Sequence, residues 1–242
     1  MPAKPILSSA KAPVPVPYQT KRQWKITNPA KRSLPLTRLK QKALAEVLTA
    51  SIVGLTAEAA LPNDEAGRPR FGSFIKAVST EDKLEILAVV LDVVTSPPDS
   101  LHRPCALGLT REELKREQPH IFALLKTEIR AVNIGFIQAG TVYQHLPPQP
   151  PQVHDFVYAA SPEEIIAITA ELDFLRLLFH LSTTVPSDEL IAASIREAGR
   201  AYSDATERED FLVRAGRAVC QLFRSDYERM LSIVKKIKPS NI

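Results

Sequence analysis

Apolar positions along this chain recur mostly at spacings of three and four, the period of a helix with one buried face. Leu36, Lys40, Leu44 and Val47, followed by Leu48, Ile52 and Leu55, keep that spacing and predict a helix over about 36–60. Ser33 stands where a cap belongs, Pro35 suits a first turn, and Leu61-Pro62-Asn63 ends the pattern. Thr80-Glu81-Asp82 opens a second segment whose body, Leu84–Val94, is apolar nearly all round. That pattern fits a central buried helix, with a strand over Val89–Val94 as the alternative. Thr110-Arg111-Glu112-Glu113 is a capping box starting a short helix to about Glu117. Pro119 begins another, carried by Ile121, Leu124 or Leu125, Glu128, Val132 and Phe136 to about Gln144.

The second half repeats the theme. Ser161-Pro162-Glu163-Glu164 combines a cap, a first-turn proline and a glutamate at the third position, predicting a helix to about Leu181. Ser187-Asp188-Glu189 opens another, to about Tyr202. A final helix, about 205–237, is marked by a stripe running from Leu212 through Val219, Phe223, Tyr227 and Val234 to Ile237. Pro147-Pro148-Gln149-Pro150-Pro151 breaks the body into two groups as a stiff connector. The pattern therefore predicts an all-α fold: an irregular two-lobed bundle of seven or eight helices. Its parts are an N-terminal arm (1–35), one lobe (36–144), the connector (145–161) and a second lobe (162–238).

Composition supports that reading and adds charge to it. The 242 residues include 45% hydrophobic and 24% charged, ordinary for a globular chain, and only 8 glycines. Scarce glycine argues against a hairpin-rich fold, whose tight turns favour positive φ. The 20 prolines cluster, and Pro13-Val14-Pro15-Val16-Pro17 favours an extended polyproline II arm. Of the 31 lysines and arginines, ten fall in residues 1–42, where there is no acid; the rest of the chain holds 21 against all 27 acids. The net charge of +4 thus hides a cationic leader on an acidic body, a statement about partners rather than fold. Two cysteines, Cys105 and Cys220, make no disulfide framework and read as free thiols. With no apolar run near the ~20 residues a membrane span needs, integral membrane association is not expected. The location expected is intracellular or inside a particle, and not secreted.

Catalytic chemistry finds little footing. His102, His120, His145, His154 and His180 show no metal-ligand spacing, and no phosphate loop or nucleophile motif is present. Glu112-Glu113 and Glu163-Glu164 sit in first turns, where acids offset the helix dipole. The chain reads as non-enzymatic and without a cofactor. Binding chemistry is better represented. Lys21, Arg22, Lys25, Lys31, Arg32, Arg38 and Lys40 lie in the leader with Trp24 and Tyr18 among them, cations for phosphates and aromatics for unpaired bases. Arg68 and Arg70 flank Pro69 in a loop. Arg214, Arg217 and Arg224, with Lys235, fall on one side of the last helix at about 100° per residue. The expectation is a self-assembling structural protein that binds single-stranded nucleic acid, RNA favoured, through phosphate contacts. The arm would link subunits into a homo-oligomer, an arrangement that viral two-lobed helical nucleocapsids share at the level of architecture. The alternative is a protein-interaction scaffold or matrix-like adaptor whose arm docks on a neighbouring subunit, with no nucleic-acid role.

Overall fold

Seven strands, not a continuous series of helices, carry the first two thirds of the chain. In the computed structural model residues 43–59, 68–79, 83–97, 107–181 and 185–237 are described, all within one compact unit spanning residues 40–242. The strands are β1 (Ala45–Ala50), β2 (Gly54–Ala59), β3 (Phe74–Ser79), β4 (Leu84–Ser96), β5 (Lys126–Gln138), β6 (Thr141–Tyr143) and β7 (Phe156–Ala159). Their order is β2-β1-β7-β3-β4-β5, and a further β2–β5 pairing closes the sheet into a six-stranded barrel, antiparallel throughout. Closure leaves those six strands without the unpaired edges of an open sheet. β6 adds to the end of β5 as an extra hairpin arm. Because β7 lies beyond the Pro147–Pro151 stretch, the barrel draws strands from both sides of that connector.

The described helices are α1 (Arg111–Glu117), α2 (Pro119–Ala123), α3 (Pro162–Ile168), α4 (Phe174–Phe179), α5 (Ser187–Gly199), α6 (Ala205–Leu222) and α7 (Tyr227–Ile237). Both capping boxes form. Thr110 and Ser161 accept from the backbone N–H of Glu113 and Glu164, and those glutamates reach back to the cap N–H groups.

Two cores share one wall. Inside the barrel sit Ala45, Ala57, Ala77, Ala88 and Ala131, with larger residues such as Ile75, Val90 and Ile129 between them. Alanine at so many inward positions suits the narrow bore of six strands. On the outer surface of the same wall, Phe74, Leu87, Val89, Val132 and Ile134 pack against helical residues such as Phe174, Leu178, Leu190 and Phe211. The middle of β4 is therefore buried on both faces. Gly72, at φ +79°, lets the turn before β3 lie against α5, where a Cβ would stand 2.6 Å from Ala193 Cβ.

A charged group crosses the seam between barrel and helices. Lys76 of β3 points outward, is only 4% exposed, and its Nζ lies 2.7 Å from Glu164 Oε1 of α3 and 3.1 Å from Glu85 Oε2 of β4. The second Glu164 oxygen accepts from the Ser161 N–H at 2.9 Å, so one carboxylate both caps α3 and holds it to the sheet.

The all-α, two-lobed expectation is overturned by these strands. The helix predicted over 36–60 is, from Ala45 on, the β1–β2 hairpin. A bulge between Val47 and Thr49 carries the inward positions from Ala45 and Val47 to Ala50 and Leu55, while the exposed Leu48 and Ile52 supply the remaining apolar positions that mimic helical spacing. Over Leu84–Val90 the segment shows no alternation because both faces are largely covered, which is the pattern shared by buried helices and doubly covered strands. From Lys126 the helix predicted to start at Pro119 is β5, whose apolar side chains also face two cores. Glycine scarcity did not exclude hairpins: Lys83 (φ 51°), Ala139 (φ 50°) and His154 (φ 74°) take left-handed turn positions. In the second half helices form, but in shorter pieces. The first breaks after Ile168 with Leu172 at φ 60°, and the last is divided between Leu222 and Tyr227. The comparison with viral nucleocapsids rested on the helical lobes and falls with them.

Breaking the Lys76 pair from one side should cost more than removing it. Lys76→Met leaves Glu164 buried without its cation and is expected to lower unfolding free energy by about 3–5 kcal/mol. The double change Lys76→Met with Glu164→Leu should recover most of that loss, less about 1 kcal/mol for the missing cap. Urea titration of the three chains decides it; equal losses in single and double variants would remove the coupling.

Candidate docking surface

The β1–β2 connection is a two-residue turn, Ser51-Ile52-Val53-Gly54. Ser51 N donates to Gly54 O at 2.7 Å, and Gly54 N donates to Ser51 Oγ at 3.2 Å. Such turns usually place Gly, Asn or Asp at their centre. Here both central residues are β-branched and apolar, and they face solvent: Ile52 is 43% and Val53 51% exposed. Leu48, one strand turn earlier, is exposed as well. Neither chain flexibility nor solubility is served by this choice.

The turn is held rigidly from beneath. Asn133 of β5, fully buried, donates from Nδ2 to Ser51 O (3.1 Å) and Ile52 O (3.0 Å), while its backbone N–H donates to Val53 O (2.8 Å). Three successive turn carbonyls are thus fixed by one residue. Its Oδ1 is buried and has no partner among the described residues. Gly54 completes the arrangement: a Cβ there would stand 2.5 Å from Ala131 O, so only glycine allows β2 to close on β5 at this point. Beside the tip runs an open groove of about 530 Å³, lined by Val53, Leu91, Val132 and Leu181 with the hydroxyls of Thr49 and Thr56 and the Arg130 side chain. Arg130 Nε also donates to Glu128 Oε1 at 2.8 Å. The lining offers apolar contact, hydroxyl hydrogen bonds and one guanidinium. It contains no carboxylate, histidine or cysteine, so it supplies no general base or nucleophile of that kind.

The site residues expected from the sequence are scattered. Lys21, Arg22, Trp24, Lys25, Lys31, Arg32, Arg38 and Lys40 lie outside the described residues. Arg68 is half-buried and Arg70 exposed in the segment leading to β3, where the Arg70 carbonyl accepts from Ser73 N and Oγ. Arg214 is exposed on α6; its Nη1 donates to Ala170 O at 2.9 Å and the guanidinium lies 5.9 Å from the Phe211 ring centre. Arg217 is exposed on α6, but Arg224 falls in the turn after it and Lys235 on α7. The shared cationic face assumed one unbroken helix. Some other cations on the body pair with its own acids, as in Lys126–Glu58 at 3.1 Å and Lys236–Glu189 at 2.6 Å.

The paired acids keep their structural place. Hydrogen bonds from the Thr110 backbone and hydroxyl hold Glu113 below the usual glutamate range, and Glu163 is lowered mainly by its own backbone N–H. The histidines are also dispersed: His145 sits edge-on to Phe136 and Tyr143, His180 to Phe179, and His154 contacts Glu46. Among the described residues no group of three or more His, Cys, Asp or Glu comes together as a metal cage. Nor is any described helix long and apolar enough to cross a membrane. The turn and Asn133 escaped the sequence reading, although an asparagine inside the apolar run Ile129–Ile137 was a visible signal. No protein-family model matches the chain, and no curated protein matches it either.

Replacing Asn133 by Ala should lower stability by about 1–3 kcal/mol, since two turn carbonyls lose the buried side chain that donates to them. Amide exchange at Ser51 and Gly54 should rise together with it. Asn133→Asp should be worse, because a carboxylate would face two carbonyl oxygens. Unchanged exchange in the turn would show the amide to be a bystander.

Proposed function

We propose that the chain is a non-enzymatic adaptor that docks on another protein through the β1–β2 tip and the groove beside it. The observation that carries this reading is the pair of exposed, β-branched apolar residues at a turn fixed by Asn133. A rigid tip loses little conformational entropy on binding, and its apolar side chains lose contact with water only when a partner covers them. The closed barrel and its helical backing act as the support that keeps the tip in place.

A second reading has its own support. Ten cations without an acid in residues 1–42, with Tyr18 and Trp24 among them, suit sequence-independent contact with single-stranded nucleic acid. Under it the leader rather than the body makes the phosphate contacts, because the rest of the chain carries 27 acids against 21 lysines and arginines.

A photo-crosslinking side chain at position 52 of the full chain, irradiated in cells that make it, should yield one crosslinked species of defined mass. Val53→Asp should abolish that species without changing the circular dichroism. Crosslinks spread over many proteins, or none, contradict docking at the tip. For the second reading, affinity for labelled oligo(U) should fall by about 0.7 log units per phosphate contact for each tenfold rise in salt. Changing Lys21, Arg22 and Lys25 to Gln should flatten that slope by about 2 units. A slope unaffected by those changes excludes the leader as the phosphate-binding element.

A further inference from the structure

Helix α7 is apolar over a wider arc than its own subunit covers. Positions around the helix follow from a rotation of about 100° per residue, counted from Ile233. On that count Ile237 lies at about 40°, Met230 at about 60°, Val234 at about 100°, Tyr227 at about 120° and Leu231 at about 160°. Ile233 and Ile237 are buried and Met230 is half-buried against the core. On the other flank, Arg229 at about 40° and Lys236 at about 60° in the opposite sense tie the helix to α5. Arg229 Nε donates to Asp188 Oδ2 at 3.0 Å, and Lys236 Nζ lies 2.6 Å from Glu189 Oε1. The covered sector therefore ends at Met230. Beyond it Tyr227 is 69% exposed and Leu231 and Val234 are each 36% exposed, an unbroken continuation of the apolar arc into solvent. A surface helix needs only one apolar stripe to hold it to its core, so the excess calls for a second contact.

Charge identifies that contact. Glu228 and Lys235 are separated by seven residues, almost two full turns, so they share one direction, side by side on the far flank of the exposed stripe, one near each end. We propose that α7 packs antiparallel against α7 of a second copy of this chain, across a two-fold axis at Leu231. In such a pair, residues equally far before and after Leu231 face each other, and each flank meets itself. Leu231 then meets its own counterpart, and Tyr227 packs on Val234 of the partner subunit. Glu228, three residues before the axis, stands opposite Lys235 of the partner subunit, four after it, and the symmetry makes this ion pair twice. A parallel pair would instead carry the Glu228–Lys235 flanks of the two helices to opposite sides of the seam, where they make no ion pair. The sequence of α7 is thus complementary to itself in one orientation only. This contact is independent of the β1–β2 tip and of the leader. With one helix of 11 residues, about 16 Å long, it belongs to the small, concentration-dependent class of interface.

Sedimentation of the full chain from about 1 to 300 μM should show a reversible monomer–dimer equilibrium. Leu231→Asp should leave only monomer. Glu228→Lys and Lys235→Glu should each weaken the dimer several-fold, and the chain carrying both should regain wild-type affinity within about twofold, as a closed cycle requires. All three positions are solvent-facing, so circular dichroism should stay unchanged in every variant. Trp24→Ala should not alter the equilibrium. A chain that stays monomeric over the whole range overturns the proposal. A dimer that survives Leu231→Asp, or that Trp24→Ala abolishes, overturns it too. A doubly reversed chain no better than the single reversals overturns the antiparallel register.

Discussion

One wall of the barrel must be buried twice, and most of the structure follows from that requirement. β3, β4 and β5 turn one face to the alanine-lined bore and the other to the helices. A sheet with two apolar faces has no stable solvent-exposed form, so the helical layer is a condition for the barrel rather than an ornament on it. Apolar packing alone does not fix how helices sit on a flat apolar surface. Lys76 supplies direction: its ammonium group, sealed between sheet and helix, needs Glu164 and Glu85 where they are. Moving α3 by a turn would leave a buried charge without its partner, at a cost of several kcal/mol.

The opposite side of the barrel obeys a different rule. There the outer residues of β1 and β2 meet solvent, and Glu58 of β2 pairs with Lys126 of β5. Against that polar background the Ile52–Val53 tip stands out. Its stiffness comes from the interior, because Asn133 reaches the turn from within the barrel wall. The adaptor reading therefore joins two facts of opposite character, an apolar surface and a polar buried anchor beneath it.

What the sequence made legible follows local chemistry. Caps at Thr110 and Ser161, the helix after Ser187 and the amphipathic stripe of α6 depend on neighbours within a turn or two, and they form as the residues indicate. The strands depend on partners far along the chain. An apolar run such as Leu84–Val94 carries no period when both faces are covered, so β4 could not be separated from a buried helix by pattern alone. β1 was disguised differently: the exposed Leu48 and Ile52 stand among the inward Val47 and Leu55, so the hairpin's apolar positions show a spacing of three and four rather than an alternation of two. Of the candidate site, Arg68, Arg70, Arg214, Arg217 and Arg224 are charged residues whose meaning is set by tertiary partners. Arg214 shows this most plainly, since one of its N–H groups donates to Ala170 O, a partner far from it in sequence. Glu164, read as a dipole-stabilising acid, also holds the buried Lys76, a role that no residue near it in sequence discloses.

The two-sided wall is best tested by native-state hydrogen exchange. If it is the constraint on which the fold depends, the amides of Leu84–Val90 and those of the helical turns packed on them in α5 and α6 should open together, at the free energy of global unfolding. Helices that open at a clearly lower free energy while β4 stays protected would contradict the account.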